Sequence, residues 1–124
     1  MRGATYDTGM LIAIERRKSR ALAVHEWLHE ERIPVSVPWV VVAEFWRGRT
    51  DRRDALLRSV DIEEPTIKLA QTAGVALGAV KGATLADAIV MASAALRGNV
   101  VYTGDIDDLS RLHRHFPGVR LLAV

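Results

Sequence analysis

The stretch VVYTGDIDDLSRL, Val100 to Leu112, sets Asp105, Asp107 and Asp108 directly behind an apolar run that stops at Thr103-Gly104. A short run rich in β-branched and aromatic residues, bounded by glycine, reads as a buried strand. Acids just beyond it suit the first turn of a helix. Like charges this close repel, and burying them costs more. Either these side chains point into water, or something positive belongs among them.

Outward from this stretch the chain alternates. Ala4–Asp7 reads as a strand ending in Asp-Thr-Gly, followed by helices Met10–Arg17 and Ser19–Glu31, with Ser19 as N-cap of the second. Ile33–Val37 is a strand, and Pro38 suits the first position of a helix Trp39–Arg47 that Gly48 ends. The valines at 40–42 favour strand by propensity. The stripe Trp39, Val42, Ala43 and Trp46 nevertheless has helical spacing. Asp51–Ser59 is a helix, Val60–Ile62 a strand, and Pro65–Val80 and Thr84–Arg97 are helices. Val100–Thr103 is a strand, Asp107–Arg114 a helix and Val119–Leu122 the last strand. Strands alternating with helices predict an α/β fold, a three-layer α/β/α sandwich around a mainly parallel sheet. Ligands of such sheets bind at the carboxyl ends of the strands.

At 124 residues the chain is sized for a single domain, 1–124, with no repeat or linker. Its 49% hydrophobic and 26% charged residues are a globular balance, and a net charge of +2 gives no strong global attraction to nucleic acid. Cysteine is absent, which fits a reducing cytoplasm and leaves no thiol to do chemistry. Thr72–Leu96 is apolar enough to raise the question of a membrane span. Lys81, Asp87 and the Lys81-Gly82 stop favour two buried helices, and no membrane association is expected.

Each acid has a plain explanation by itself. Asp7 suits a helix N-cap, and Thr84-Leu85-Ala86-Asp87 is a capping-box pattern. Glu44 can pair with Arg47 three positions on, and Asp105 suits a helix start. Yet each lies at a strand end or in an early helical turn, among apolar residues. In a parallel sheet those ends converge on one edge. Four carboxylates in one pocket need compensation, and all-oxygen ligands favour a hard ion, Mg²⁺ or Mn²⁺.

In this order Asp7 (YDTGMLIAIE), Glu44 (VVAEFWRG), Asp87 (TLADAIVMASA) and Asp105 (VVYTGDIDDLSRL) resemble the acidic motifs of the PIN-domain ribonucleases, in particular the VapC toxins of bacterial toxin–antitoxin systems. The likeness runs through the closing FPGVRLLAV. It implies a PIN-like fold and cleavage of RNA by water that a divalent ion activates, leaving a 5′-phosphate and a 3′-hydroxyl. The family's quartet falls on Asp7, Glu44, Asp87 and Asp105 as catalytic and metal-binding residues. Its threonine falls on Thr103, orienting the last acid or a water. Asp108 would be a supporting acid, and Asp107 is solvated. Tyr6 stands where a small or aliphatic residue is more usual, and Gly9 replaces a frequent serine. The resemblance also implies a cognate antitoxin whose tail fills the pocket, and a homodimer. The aromatics Trp27, Trp39, Phe45 and Trp46 suit a partner groove or the core equally.

RNA also needs cations for its backbone. Arg16, Arg17, Lys18 and Arg20 form one cluster, and Arg47, Arg49, Arg52 and Arg53 another. The second follows Glu44 and is the expected RNA contact, conferring affinity rather than sequence preference. The rival readings are three. His25-Glu26-Trp27-Leu28-His29 matches the H-E-x-x-H signature of zinc metalloproteases, without a clear third ligand. An aspartyl-phosphate enzyme would use Asp7, but lacks the second Asp or the late lysine that such sites want. The last is a non-catalytic binding domain, against which the complete set of acids speaks.

Overall fold

In the computed structural model, which describes residues 2–124, five short strands form one sheet. They are β1 (Ala4–Tyr6), β2 (Val35–Pro38), β3 (Asp61–Glu63), β4 (Val100–Thr103) and β5 (Leu121–Ala123). Every pairing is parallel, in the order β3-β2-β1-β4-β5. The helices are α1 (Thr8–Glu15), α2 (Ser19–Glu30), α3 (Trp39–Phe45), α4 (Asp51–Arg58), α5 (Ile67–Ala79), α6 (Leu85–Arg97) and α7 (Ile106–His113). All residues of β1 and β2 are buried, as a parallel sheet covered on both faces requires. Helices α1 and α6 each lie against β1 and β4; α2 and α4 back onto α1, and α5 and α7 onto α6. The expected α/β/α sandwich is what forms.

The chain winds from β1 outward to β2 and β3, then returns to the other side of β1 for β4 and β5. The β1–β4 pair is therefore where the winding reverses, and the crevice beyond its carboxyl ends is the ordinary ligand position of such sheets. Two latches hold this pair. At the amino end, buried Asn99 accepts from Gly3 N–H at 3.1 Å and donates to Thr5 Oγ1 at 3.1 Å. At the carboxyl end, Thr103 bonds Asp7. There Gly9 and Gly104 meet backbone to backbone. A Cβ on Gly104 would sit 2.7 Å from the carbonyl carbon of Gly9, and one on Gly9 2.9 Å from Gly104 Cα. The glycine at position 9 is thus a packing requirement of this chain.

Helix α6 is the central buttress. Ala86 and everything from Ala88 to Ala94 are buried, and the alanines let the helix approach the sheet closely. Thr84 caps it by accepting from Asp87 N–H at 3.2 Å, and Gly98 ends it at φ 69°. Helix α3 follows β2 directly and touches both α1 and α6, so it crosses the carboxyl edge of the sheet.

As expected, the apolar stretch 72–96 divides between α5 and α6 around Lys81-Gly82, and among the described residues no helix is long and apolar enough to cross a membrane. Other expectations shift. Ser19 is the first helical residue, and the N-cap is Lys18, with no side-chain cap bond. Arg17 at φ 59° has already completed the turn out of α1. Pro38 is not the first helical residue: it pairs with Glu63 as the end of β2, in extended conformation at φ −62°, ψ 147°. The stripe 39/42/43/46 is also displaced. The buried pair of α3 is Val41 and Phe45, while Ala43 is exposed, because the helix ends at Phe45 and Trp46 turns away at ψ 114°. Of the four aromatics, Phe45 belongs to the core, Trp39 and Trp46 are partly buried, and Trp27 is 48% exposed.

Candidate active site

The four separated acids line one cleft of about 400 Å³ at the carboxyl edge of the sheet. Asp7 enters from the end of β1, Glu44 from α3, Asp87 from the first turn of α6 and Asp105 from the start of α7. Asp108 and Arg47 complete its charged lining, whereas Asp107 is exposed outside it.

Asp7 is 7% exposed and caps α1, accepting from Met10 N–H at 2.8 Å. The same oxygen accepts from Gly104 N–H at 3.3 Å, and the other from the Thr103 hydroxyl at 2.5 Å. Thr103 is fully buried and takes the Asp105 N–H at 2.9 Å on the same hydroxyl oxygen. One hydroxyl therefore ties the first acid to the backbone of the last. Burial raises the Asp7 carboxyl above its ordinary value, with Asp105 adding to the rise and the three donors opposing it.

Asp105 is the N-cap of α7 and spends one oxygen on the N–H groups of Asp107 and Asp108, at 3.1 and 3.4 Å. Capping and facing the cleft are thus compatible for both Asp7 and Asp105, because each carboxylate has two oxygens. Asp87 differs, because Thr84 does the capping. Burial pushes its carboxyl up to about 6; the Thr84 hydroxyl opposes this, and the charges of Asp108, Asp7 and Glu44 add to it. Glu44 is exposed on α3 and accepts from the Thr8 hydroxyl at 2.6 Å, a bond across the cleft mouth that no local motif announces. Among the described residues no Lys or Arg forms an ion pair with any of these acids.

The arginines divide. Arg47, two residues beyond α3, lines the cleft. Arg49 pairs with Asp51 and Asp54, at 3.1 and 2.7 Å. Arg53 pairs with Glu15 at 2.6 Å and donates to the Gly48 carbonyl, and Arg52 donates to the Glu15 carbonyl at 3.4 Å. The expected Arg47–Arg53 contact surface is thus reduced at the cleft to Arg47, because the others staple α4 to its own start and to α1.

The H-E-x-x-H segment is spent on structure. Nδ1 of His25 lies 2.8 Å from the Tyr6 hydroxyl and its Nε2 3.4 Å from Ser59 Oγ. His29 places its ring nitrogens 2.8 Å from the carbonyls of His25 and Ser59. Burial, with His29 alongside, lowers His25 to about 4. These contacts pin α2 to β1 and to the end of α4, and each ring nitrogen faces a protein oxygen.

A hard divalent ion can be tested against the donors. Among the described residues no three His, Cys, Asp or Glu side chains form a ready-made cage. Mg²⁺ does not require one: it keeps several waters and is held by one or two carboxylates together with substrate phosphates. The cleft offers oxygen donors only, excess negative charge and room for hydration. The residues fit such an ion.

No family model and no curated protein matches the sequence. Solved structures do. A chain of the VapBC2 structure from Rickettsia felis, bound to a DNA fragment from its promoter, matches with TM-score 0.77, 15% identity and 98% coverage of each chain. DNA-bound VapBC from Salmonella typhimurium gives TM-score 0.76 at 14% identity, covering 99% of this chain and 98% of that one. A toxin–antitoxin complex from Klebsiella pneumoniae gives 0.73 at 22% identity, covering 94% and 95%. Over nearly its whole length, the chain has the PIN-like α/β/α fold of these toxin–antitoxin structures.

Proposed function

We propose that the chain is a divalent-metal-dependent endoribonuclease and the toxin of a toxin–antitoxin pair. The observation that carries this reading is the cleft: four carboxylates from remote parts of the chain share it, and among the described residues no Lys or Arg forms an ion pair with any of them. The solved structures with the same fold, two VapBC complexes and a toxin–antitoxin complex, favour the biological role.

Asp7 and Asp87 would hold Mg²⁺ or Mn²⁺, with Glu44 and Asp105 completing the negative wall. Once bound, the ion supplies charge neutralisation, Lewis acidity toward a phosphoryl oxygen and a more acidic water. Thr103 positions Asp7 by fixing one carboxylate oxygen, and the Met10 and Gly104 N–H groups fix the other. Thr8 keeps Glu44 turned across the cleft mouth. Arg47 meets the phosphate backbone at the rim, where a cation adds affinity without reading bases. A cognate antitoxin that covers the cleft, a homodimer and a cytoplasmic location belong to the same reading.

The test is cleavage of a labelled RNA by metal-stripped protein, with Mg²⁺, Mn²⁺ or Zn²⁺ restored singly. Rescue by Mg²⁺ or Mn²⁺, and its loss in Asp87→Asn, is expected. RNA left intact under every ion, or equal cleavage by purified Asp87→Asn, would overturn the assignment.

A further inference from the structure

We propose that the groove between the α5–α6 turn and α7 is a phosphate-backbone subsite that carries the RNA strand away from the acid cleft, an inference that rests on the nuclease reading. The groove has a volume of about 550 Å³ and is lined by Ala79, Val80, Lys81, Ser110, Arg111 and Arg114. It contains three cations and no acid. Among the described residues none of the three forms an ion pair. The Ser110 hydroxyl is already committed to the Ile106 carbonyl, so the cations are the polar groups free to bind.

The groove and the acid cleft are lined by neighbouring residues of the same two segments. The segment around the α5–α6 turn gives Lys81 to the groove and Thr84 and Asp87 to the cleft. Helix α7 gives Asp108 to the cleft and Arg111 to the groove, and its C-cap, Arg114, joins Arg111 there. Asp108 and Arg111 are neighbours one turn apart, as are Arg111 and Arg114, and the six residues from Asp108 to Arg114 advance about 9 Å along the axis. Charge therefore changes sign from the cleft to the groove along these two segments.

Arg111 is set into the groove by the turn itself. Gly82 has φ +82°, and a Cβ there would lie 2.5 Å from Nη1 of Arg111. The bare turn lets the guanidinium lie across it. A strand with one phosphate at the acids would bring its next phosphates over Arg111, Lys81 and Arg114. Arg47 stands at the cleft as well, so cations would flank the acids along the strand. An acidic polypeptide is the other polyanion to consider. RNA is favoured because, on the nuclease reading, a strand held at the acid cleft must continue past it, and the polyglutamate arm of the experiment separates the two.

The experiment compares Lys81→Gln/Arg111→Gln/Arg114→Gln with its parent, both carrying Asp87→Asn so that binding is read without turnover. The probe is fluorescent oligouridylate, with polyglutamate alongside, titrated by anisotropy in Mg²⁺ over a KCl series. Three lost phosphate contacts should weaken oligouridylate binding and flatten the slope of log affinity against log salt by about 2, at roughly 0.7 per contact. In the otherwise wild-type enzyme the same triple change should raise KM and spare kcat. Unchanged oligouridylate affinity and slope, in a protein whose wild type still cuts RNA, would refute the subsite and leave the nuclease reading standing. Loss of polyglutamate binding with oligouridylate unaffected would overturn it in favour of an acidic polypeptide. Failure of the wild type to cut RNA is a separate observation and bears on the acid cleft.

Discussion

Replacing Asp87 by asparagine should make the metal-free protein more stable while destroying its activity. The carboxyl of Asp87 is pushed from 3.8 up to about 6, first by burial and then by Asp108, Asp7 and Glu44. A raised acid stabilises the fold at low pH, where it is protonated in both states. That contribution disappears as pH rises from about 4 through 6, because the unfolded chain then releases the proton more easily than the folded one. Fully expressed, such a displacement corresponds to about 3 kcal/mol. The side chain is only half-buried, so screening by water should leave about half of that, roughly 1.5 kcal/mol. For a domain of this size the matching rise in Tm is about 5 °C. The assay is thermal unfolding of wild type and Asp87→Asn in EDTA, at pH 4.5 and pH 8. The two curves should nearly coincide at the lower pH and separate at the higher one, asparagine being the more stable. Mg²⁺ should then lift the wild type more than the variant, since binding to the native state alone stabilises by mass action. If Asp87→Asn at pH 8 without metal were no more stable than wild type, the carboxylates would not be crowded in the way described, and the case for a charge-compensating ion would collapse.

Thr103→Val removes the hydroxyl that serves both Asp7 and Asp105 N–H; it should cost about 2 kcal/mol in chemical denaturation. It should also shift the acid limb of the pH–rate profile upward, whereas Thr103→Ser should retain both properties. Gly104→Ala drives a Cβ into the Gly9 backbone, which has no flexible end to move aside. A loss of about 1–3 kcal/mol and a fall in cleavage of more than tenfold are expected, and unaltered kinetics would show that the loops part without moving Asp7. Tyr6→Phe deletes the bond to His25 and should cost about 1 kcal/mol. Cleavage should be unaffected, as a zinc-site role for His25 would not allow. Because His25 is lowered to about 4, it contributes stability above its ordinary value near 6.5 that is lost as pH falls toward 4. His25→Gln should flatten that part of the stability curve.

The strand–helix alternation was legible because the signals are local. β4 kept both its expected ends, and Thr84 and Gly98 mark the limits of α6 in plain text. The convergence of the acids was legible too, through the rule that parallel strands present their carboxyl ends on one edge. What escaped depends on contacts between remote residues. Nothing near Thr8 points to Glu44, and nothing near Gly9 points to Gly104. The arginines after Glu44 read as one cluster because sequence shows proximity along the chain. In space α1 and α4 claim Arg49, Arg52 and Arg53 for ion pairs and carbonyl bonds. The histidine pair reads as a metal motif by spacing alone. Its meaning was decided by Tyr6 and Ser59, from segments on either side of it in the sequence. Pro38 failed locally, since capping preference does not register that the strand must reach Glu63 before the helix begins.

The pairing of β1 with β4 has a consequence for the order of events during synthesis. Asp7 leaves the ribosome early, but its threonine latch, the glycine that abuts Gly9 and two of the cleft acids all lie beyond position 102. Closing a loop of that length is among the slow steps of folding. A chain interrupted before Thr103 would therefore hold Asp7, Glu44 and Asp87 without the wall that brings them into use. On the proposed toxin reading, a nascent chain that had not yet reached this wall would be harmless.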